Sequence, residues 1–271
     1  MPAAFRYAER LPHPSMAPWI ACYWEFTAHD GAPPIHHVPP DGCTSLLVPR
    51  TGPFAGTLFY TGPWLEPLAV PVSPGARFVG IRLRPGATAA LLDVPVASLF
   101  NASRPALAHG GARGAQLQAA LRPMVMGSAD LDEASQGFDQ FWLDERARLT
   151  IPDPVVSAAI DLLVASDGER TIANVAEVLG YSERTVLRRF RSATALTPKQ
   201  FARIRRLLGA AWHAVDGEER WGRIAALAGY ADQPHLHHDV KALTGLRPEE
   251  LGERIAQTEH DQVNRTLRGE R

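Results

Sequence analysis

The spacing of apolar positions divides the chain into two halves. In the first 100 residues, short apolar runs such as TSLLVPR, TLFYTG, LAVPV and FVGIRLRP are separated by Pro and Gly, which predicts the strands of a compact β barrel or sandwich. Apolar positions at helical spacing begin at GATAALLDV and return in GAQLQAALRPM and DEASQGFDQFWLDERARL. We expect these helices to pack on the β unit or to form a dimer surface.

An imperfect internal repeat fills most of the second half. The first copy, VAEVLGYSERTVLRRFRSATALTP, spans residues 175–198, and the second, IAALAGYADQPHLHHDVKALTGLRP, spans residues 224–248; we call them the first head and the second head. Matching residues are 49 positions apart before the central turn and 50 after it. In each copy an apolar helix, a turn with Gly and an aromatic residue, and an amphipathic helix follow one another. Gly180 can end the first helix and Ser182 can cap the next, which indicates two helix-turn-helix units.

A long helix is predicted between the heads, over residues 198–215, with Thr197 as its cap and Pro198 in its first turn. The apolar stripe of this helix is Phe201, Ile204, Leu208, Ala211 and Trp212. A helix of ~18 residues is about 27 Å long, and successive major-groove faces of duplex DNA are ~34 Å apart. The pattern therefore predicts two DNA-reading units joined by a rigid spacer.

The sequence IPDP at residues 151–154 marks a boundary, because two prolines resist continuation of a helix. We expect a β-rich sensor or dimerisation domain at 1–150 with helices at its C-terminal end, an all-α domain at 153–255, and a polar tail at 256–271 that frays at its end. The predicted fold class is thus multidomain. A β-rich, barrel- or sandwich-like domain with accessory helices precedes two helix-turn-helix units.

The charge of the chain is concentrated in one place. The formal net charge is only -1, yet residues 182–206 contain eight positive side chains and one negative one, Glu183. The positive residues are Arg184, Arg188, Arg189, Arg191, Lys199, Arg203, Arg205 and Arg206. A basic stripe along predicted helices is typical of a surface that binds nucleic-acid phosphates. Residues 1–150 carry 11 Lys and Arg against 12 Asp and Glu and have no such stripe.

Residues 153–251 resemble the DNA-binding domain of the AraC/XylS transcription regulators. The resemblance rests on the LGYS turn with S-x-R-x-V-x-R-x-F, on TPKQFARIRRL, and on IAALAGYADQPHL closing in TGLRP. It implies that the second helix of each head enters the major groove of duplex DNA, and that RNA polymerase is a partner if the protein is an activator. The positions that match the family's base contacts are Arg184, Leu187 and Arg188 in the first head and Gln233, Pro234, His237 and His238 in the second.

Helical geometry supports the same division of roles. Because Val186 and Phe190 lie four residues apart on the core face, Arg184 and Arg188 lie on the opposite face. Arg can donate two hydrogen bonds to guanine, and Leu187 can only contact a thymine methyl group. The remaining polar residues are expected to hold phosphates or, in part, to be structural. They are Ser182, Arg189, Arg191, Lys199, Arg203, Arg205, Arg206 and Lys241.

The second head is expected to bind DNA more weakly than the first. Its reading helix, DQPHLHHDVK, carries Asp232 and Asp239 against one Lys241. Protonation of His237 and His238 below about pH 6.5 is predicted to strengthen its contact with DNA. A metal site built from these histidines is the less favoured interpretation, and no metal or other cofactor is expected.

The first half offers a weaker candidate for a small-molecule site. PPDGCTSLLV and GIRLRPGATAALLDVPVASLF resemble a poorly characterised domain attached to some AraC-type regulators, and domain order implies a sensing or dimerising role. Candidate residues of an effector pocket are Trp19, Trp24, Trp64, Arg82 and Arg84, although core packing and a solvated sheet face are the alternatives. The adjacent His36 and His37 point to opposite faces of a strand, which disfavours a metal site.

The leading hypothesis is therefore a sequence-specific DNA-binding regulator, not an enzyme, with an unknown effector and a homodimer as a candidate assembly. Alternatives are an enzyme or ligand-binding β domain tethered to DNA, for which no catalytic constellation is found, and a regulator gated only by protein contacts. Two cysteines, no signal-peptide pattern and no apolar run of membrane length favour a cytoplasmic protein without membrane contact.

Overall fold

A computed structural model describes residues 3–215, 217–218, 220–256 and 258–261. The strands in this part of the chain are β1 (Phe5–Arg10), β2 (Ile20–Ala28), β3 (Ile35–Val38), β4 (Ser45–Pro49), β5 (Phe59–Thr61), β6 (Leu68–Pro71), β7 (Arg77–Leu83), β8 (Ser103–Pro105) and β9 (Thr258–Asp261). The helices are α1 (Thr88–Leu92), α2 (Ala106–His109), α3 (Gly111–Gly127), α4 (Leu131–Glu145), α5 (Pro154–Ala165), α6 (Ile172–Leu179), α7 (Glu183–Thr194), α8 (Pro198–Val215), α9 (Trp221–Leu227), α10 (Gln233–Thr244) and α11 (Pro248–Ala256).

The first half of the chain is built on one sheet with the strand order β8-β5-β4-β7-β2-β1-β9, and β3 pairs with β6 in a separate ribbon. Neighbouring strands are antiparallel except β1 and β9, which are parallel. The predicted β-rich first half and helical second half are confirmed. The strands form one seven-stranded sheet, with the two-stranded ribbon on one face and helices on the other.

Each face of the sheet has its own apolar core. On one face, Tyr23 and Ile81 pack against Leu121, Phe138 and Trp142 of α3 and α4. On the other, a smaller cluster contains Phe5, Phe26 and Val72 and is covered by the β3–β6 ribbon. The accessory helices therefore pack on the β unit, as one of the two expected arrangements requires.

The helical half contains two cores that share α8. The first joins α5, α6 and α7 to Phe201, Ile204 and Leu208. The second joins α9, α10 and α11 to Leu207 and Ala211 on the same helix. The predicted spacer over 198–215 is confirmed at both ends. The two heads thus pack on different faces of one continuous helix.

The chain returns to the sheet after α11. Residues 258–261, expected to belong to a polar tail, form β9 and pair with Phe5–Ala8 of β1. Fraying was predicted from His260 onward and does not occur at His260 and Asp261, because the open edge of β1 offers backbone hydrogen bonds to an extended segment. Residues 262–271, where fraying was also predicted, lie outside the described residues.

Candidate DNA-binding surface

The sequence repeat is also a repeat of hydrogen bonds. Thr194 Oγ1 donates to Phe190 O at 2.8 Å and accepts from Leu196 N at 3.1 Å. Fifty residues later, Thr244 Oγ1 donates to Val240 O at 2.7 Å and accepts from Leu246 N at 3.1 Å. These bonds close the C-terminal turn of each reading helix. The two heads are therefore copies of one local structure.

The turns before the reading helices also match. Gly180 and Gly229 have φ angles of 71° and 70°, in the left-handed region where a side chain is strained. Ser182 Oγ then accepts a hydrogen bond from Thr185 N at 3.3 Å, and Asp232 Oδ1 accepts one from His235 N at 2.8 Å. Each reading helix thus begins at a side-chain cap, as predicted for Ser182. These caps fix where the reading helices begin.

Four positive side chains remain free on and beside the first reading helix. Arg184, Arg188, Arg191 and Lys199 are exposed, and within the described part of the chain none of them has an acidic partner. Leu187 is 37% exposed on the same outer face as Arg184 and Arg188. Val186 and Phe190 are buried on the opposite face, as the spacing predicts. The structure therefore brings the predicted base-reading residues of α7 together on one open surface.

Arg189 of the same helix is engaged within the protein. Its Nη1 lies 3.3 Å from Asp153 Oδ1, and its guanidinium lies 5.6 Å from the centre of the Tyr181 ring. Asp153 also caps α5 by accepting from Val155 N at 2.9 Å. Arg189 therefore connects α7 to the start of α5. In this structure its role is mainly structural, which was the alternative to a phosphate contact.

The spacer arginines are also engaged, which corrects their predicted role. Arg205 is only 3% exposed and lies 3.5 Å from Asp167. Arg203 Nε donates to Asp239 Oδ1 at 2.7 Å, and the Arg206 guanidinium lies 5.6 Å from the Tyr230 ring centre. A phosphate contact by Arg205 is incompatible with its burial. The predicted row of phosphate contacts along α8 is thereby reduced to Lys199 at its start.

Burial and nearby charges shift the pKa values of two groups beside the spacer. Burial lowers the pKa of Arg205, and the neighbouring Asp167 carboxylate opposes this change. Burial and, secondarily, the Asp239 carboxylate raise the pKa of Tyr230. The Tyr230 hydroxyl and Asp239 Oδ2 are both buried without a hydrogen-bond partner among the described residues. These groups form a polar centre in the second head that sequence reasoning missed.

The outer face of α10 carries little charge. Gln233, Pro234 and His238 are exposed, while His237 is half-buried and lies 3.3 Å from the Gln233 amide nitrogen. Lys241 Nζ donates to Gly245 O at 2.7 Å at the end of the same helix. The outer face of α10 thus carries less positive charge than the outer face of α7, as predicted from the sequence.

The histidines of α10 do not converge on a common point. The His235 ring contacts the edge of Tyr230 with the ring centres 5.2 Å apart, in keeping with its predicted position near the turn. His238 Nδ1 lies 3.8 Å from Asp239 Oδ1. The part of the chain that the structure describes holds no cluster of three or more His, Cys, Asp or Glu side chains suited to a metal ion.

The candidate effector-pocket residues are not brought together. Trp19 is buried in the core beneath α4 and donates from Nε1 to Thr150 O at 2.8 Å, while Trp24 stacks on Tyr7. Arg84 pairs with Asp161 of α5 at 2.9 Å. Trp19, Trp24 and Arg84 therefore lie in three different surroundings, and the predicted grouping of Trp19, Trp24, Trp64, Arg82 and Arg84 is not seen in these contacts.

A cavity of about 130 Å³ lies instead between the sheet and the helical half. Of the predicted pocket residues only Arg82 lines it, and its guanidinium is held by Glu9 at 2.7 Å and Asp41 at 2.8 Å. The other walls are mostly apolar and come from both halves. They include Tyr7, Phe26, His36, His37, Leu208, Ala211, Trp212, Leu251, Arg254 and Ile255. His37 Nδ1 is buried and has no hydrogen-bond partner in the described part of the protein.

Comparisons with known proteins agree with the division of the chain. Residues 175–254 match a family described as a helix-turn-helix domain, and residues 8–105 match a domain family of unknown function. No curated protein matches the chain. Among the described residues, none of the helices has the length and apolar character needed to cross a membrane.

Several solved structures are similar to the chain. The C-terminal domain of the response regulator AraT from Geobacillus stearothermophilus is 22% identical, with a TM-score of 0.35 over 37% of this chain and 85% of that one. An AraC-type regulator from Chromobacterium violaceum is 22% identical, with a TM-score of 0.37 over 38% and 94%. ToxT from Vibrio cholerae, bound to (E)-4-(8-methylnaphthalen-1-yl)but-3-enoic acid, is 12% identical, with a TM-score of 0.48 over 93% and 99%.

The matched segment begins inside α6 and ends inside α11, and so contains both heads and the spacer. The capped reading helices and the paired turns all lie within it. Residues 175–254 therefore form a helix-turn-helix domain of the kind that binds DNA, and in sequence they resemble the AraC/XylS transcription regulators.

Proposed function

We propose that the protein binds duplex DNA sequence-selectively, mainly through α7, and that a small molecule in the cavity between its two halves modulates this binding. The observation that carries the proposal is the outer face of α7. There, Arg184 and Arg188 are exposed and unpaired among the described residues, on a helix with a side-chain cap and a buried opposite face.

The chemistry of this face suits guanine recognition. An arginine guanidinium can donate to O6 and N7 of guanine in the major groove, and each such pair contributes about 1–3 kcal/mol of discrimination. Arg191 and Lys199 lie beside this face and are free to neutralise phosphates. Two such phosphate contacts release about two counterions from the DNA, so log K should fall against log salt concentration with a slope of about −2.

Fluorescence anisotropy on a duplex selected from a randomised library tests the DNA-binding proposal. Arg184→Ala and Arg188→Ala should each weaken binding to the selected duplex by about 1–3 kcal/mol and relax discrimination at one or two base pairs. Arg104→Ala is the matched control, because Arg104 is an exposed arginine on β8 in the β-rich half. Failure to select any duplex, or equal losses in all three variants, contradicts the proposal.

The cavity supports the ligand part of the proposal. At about 130 Å³ it is close to the ~150 Å³ apolar cavity that accommodates benzene in another protein. Its aromatic and aliphatic walls suit a small apolar molecule, and the unpaired His37 Nδ1 can exchange a hydrogen bond with one polar group. The ligand class that fits is a single ring or short chain with one hydroxyl or similar group.

A ligand in the cavity would affect the heads because the walls of the cavity belong to both halves of the protein. Leu208, Ala211 and Trp212 belong to the spacer α8, while Tyr7 and Phe26 belong to the sheet. The β-rich half also touches both heads: a Cβ added at Gly86 would lie 3.9 Å from Ala193, and one at Gly245 would lie 3.3 Å from Pro67. Occupancy of the cavity can therefore alter how the two heads are held relative to one another.

Phenol, with benzene as its matched control, probes this cavity. We expect phenol to raise the Tm of the full chain more than benzene does, and to change the Kd for the selected duplex. Ala211→Leu, which places a larger side chain in the cavity wall, should abolish both effects. No change in Tm with either compound, or the same change in Ala211→Leu, contradicts the ligand proposal. Homodimerisation and contact with RNA polymerase stay predictions of the family resemblance.

A further inference from the structure

Each reading helix is joined to a neighbouring helix by one arginine–aspartate pair. In the first head Arg189 of α7 pairs with Asp153 at the start of α5, at 3.3 Å. In the second head Asp239 of α10 pairs with Arg203 of α8, at 2.7 Å. Residues 153 and 203, and residues 189 and 239, are both 50 positions apart, which is the offset of the repeat. Each pair therefore connects a reading helix to a neighbouring helix, with the positions of Arg and Asp exchanged between the heads. We call this ion-paired connection the joint of each head.

The joint is more buried in the second head. Side-chain exposure is 35% for Arg189 and 32% for Asp153, but 30% for Arg203 and only 5% for Asp239. Burial of an ion pair contributes little net stability, since the lost hydration offsets the attraction, but it can select one arrangement of the packed elements. The Arg203–Asp239 pair is therefore expected to add little net stability but to fix the position of α10 relative to α8.

The aromatic residue of each turn is covered by a guanidinium at the same distance. Arg189 lies 5.6 Å from the Tyr181 ring centre, and Arg206 lies 5.6 Å from the Tyr230 ring centre. In the first head one arginine of the reading helix serves both the ion pair and the tyrosine. In the second head two arginines of the spacer share these roles. The spacer therefore holds α10 at two points, the helix itself and the turn before it.

We propose that the Arg203–Asp239 pair fixes the angle at which α10 meets the major groove, which makes both residues positioning residues for recognition although neither touches a base. This inference rests on the proposed DNA-binding function. The outer face of α10 is nearly neutral, so its selectivity depends on placing Gln233 and its neighbours accurately rather than on general attraction to phosphates. Without the Arg203–Asp239 pair, α10 keeps the side chains of its outer face but no longer holds them in the orientation that discriminates between base pairs.

The test is a base-substitution scan of the selected duplex with the full chain. Arg188→Ala and Gln233→Ala first identify the base pairs read by α7 and by α10. Asp239→Asn and Arg203→Lys should then reduce discrimination about fivefold at the α10 base pairs and less than about twofold at the α7 base pairs. Asp153→Asn and Arg189→Lys are the matched variants, and their losses should fall on the α7 base pairs.

The double variant Arg203→Asp with Asp239→Arg exchanges the charges of the pair, so that the arginine lies on the reading helix as it does in the first head. It should fold and recover discrimination to within about twofold of wild type. The inference is overturned if the folded single variants keep α10 discrimination or lose it equally at both sets of base pairs. If the single variants fail to fold, the exchanged variant decides alone, and its misfolding or lack of α10 discrimination overturns the inference. Absence of selective binding by wild type overturns the proposed function as well.

Discussion

The two heads have the same internal structure and different outer faces. Gly180 and Gly229 end the first helices, Thr194 and Thr244 close the second, and the buried Val186 and Leu236 occupy matching positions. On the outside, by contrast, Arg184 and Arg188 match Pro234 and His238. The comparison separates two sets of positions. Buried and capping residues determine the scaffold, and exposed residues determine what the scaffold can bind.

The same comparison shows that the location of a positive charge decides its use. Arg188 lies on an open surface with no acidic partner among the described residues, whereas Arg203 on the spacer helix is paired with Asp239. Arg205 is buried and lies 3.5 Å from Asp167 within the helical half. A basic stripe in the sequence therefore contains DNA-binding residues and structural residues side by side.

The largest expected difference between the heads is in stability. Arg203→Met should lower the free energy of unfolding by ~3–5 kcal/mol, because it leaves the buried Asp239 carboxylate without its partner. Arg189→Met should cost about 1 kcal/mol, since both members of its pair are about one-third exposed. Urea denaturation at pH 7 measures both values. Equal losses would contradict the difference in burial between the two joints.

We expect acid to destabilise the β-rich half before it destabilises either of the two heads. Burial among Phe5 and Phe26 lowers the pKa of His36 to about 4, so the folded protein disfavours the protonated ring. The unfolded chain binds this proton near pH 6.5, and stability is therefore lost as the pH falls from about 6.5 to about 4, by about 3 kcal/mol in total.

His36→Phe should remove this part of the acid sensitivity. Urea denaturation of the variant and of wild type at pH 7 and pH 4 gives the comparison, and the difference between the two proteins should be larger at pH 4. A pH dependence of unfolding that is the same with and without His36 would contradict this origin.

The smallest expected effect is a gain of DNA affinity in mild acid. Positive charge gained by the histidines of α10 in mild acid is predicted to strengthen binding by about 1 kcal/mol or less between pH 7.5 and pH 6. Anisotropy titrations of wild type and of His237→Ala with His238→Ala measure it. Parallel changes in the two proteins would show that the histidines are not responsible.

Several parts of this structure could be predicted because they depend on local sequence. The repeat, the spacer over 198–215 and the cap at Ser182 follow from apolar spacing and from residues with one strong backbone preference. The partners of Arg203 and Arg205 could not be found in the same way, because they depend on which elements pack together. The repeat offset of 50 relates Asp153 to Arg203 and Arg189 to Asp239. This relation identifies the two ion pairs only once the packing of the helices is known.

The β-rich half was predicted less completely for the same reason. Its short strands are recognisable from their Pro and Gly punctuation, but the position of each side chain depends on strand order. Trp19 and Arg82 were grouped as pocket residues, yet they lie on opposite faces of the sheet. The cavity draws its walls from α8 and α11, which are far away in sequence. A site between two halves of a chain leaves no local pattern in either half.

The central claim, that the heads share a scaffold but the first supplies most of the DNA affinity, is tested most directly at one pair of matching positions. Arg188 and His238 lie 50 residues apart on α7 and α10. Fluorescence anisotropy on the selected duplex at one fixed salt concentration should show a loss of about 1–3 kcal/mol for Arg188→Ala and less than about 1 kcal/mol for His238→Ala. A loss for His238→Ala that equals or exceeds the loss for Arg188→Ala would contradict the claim.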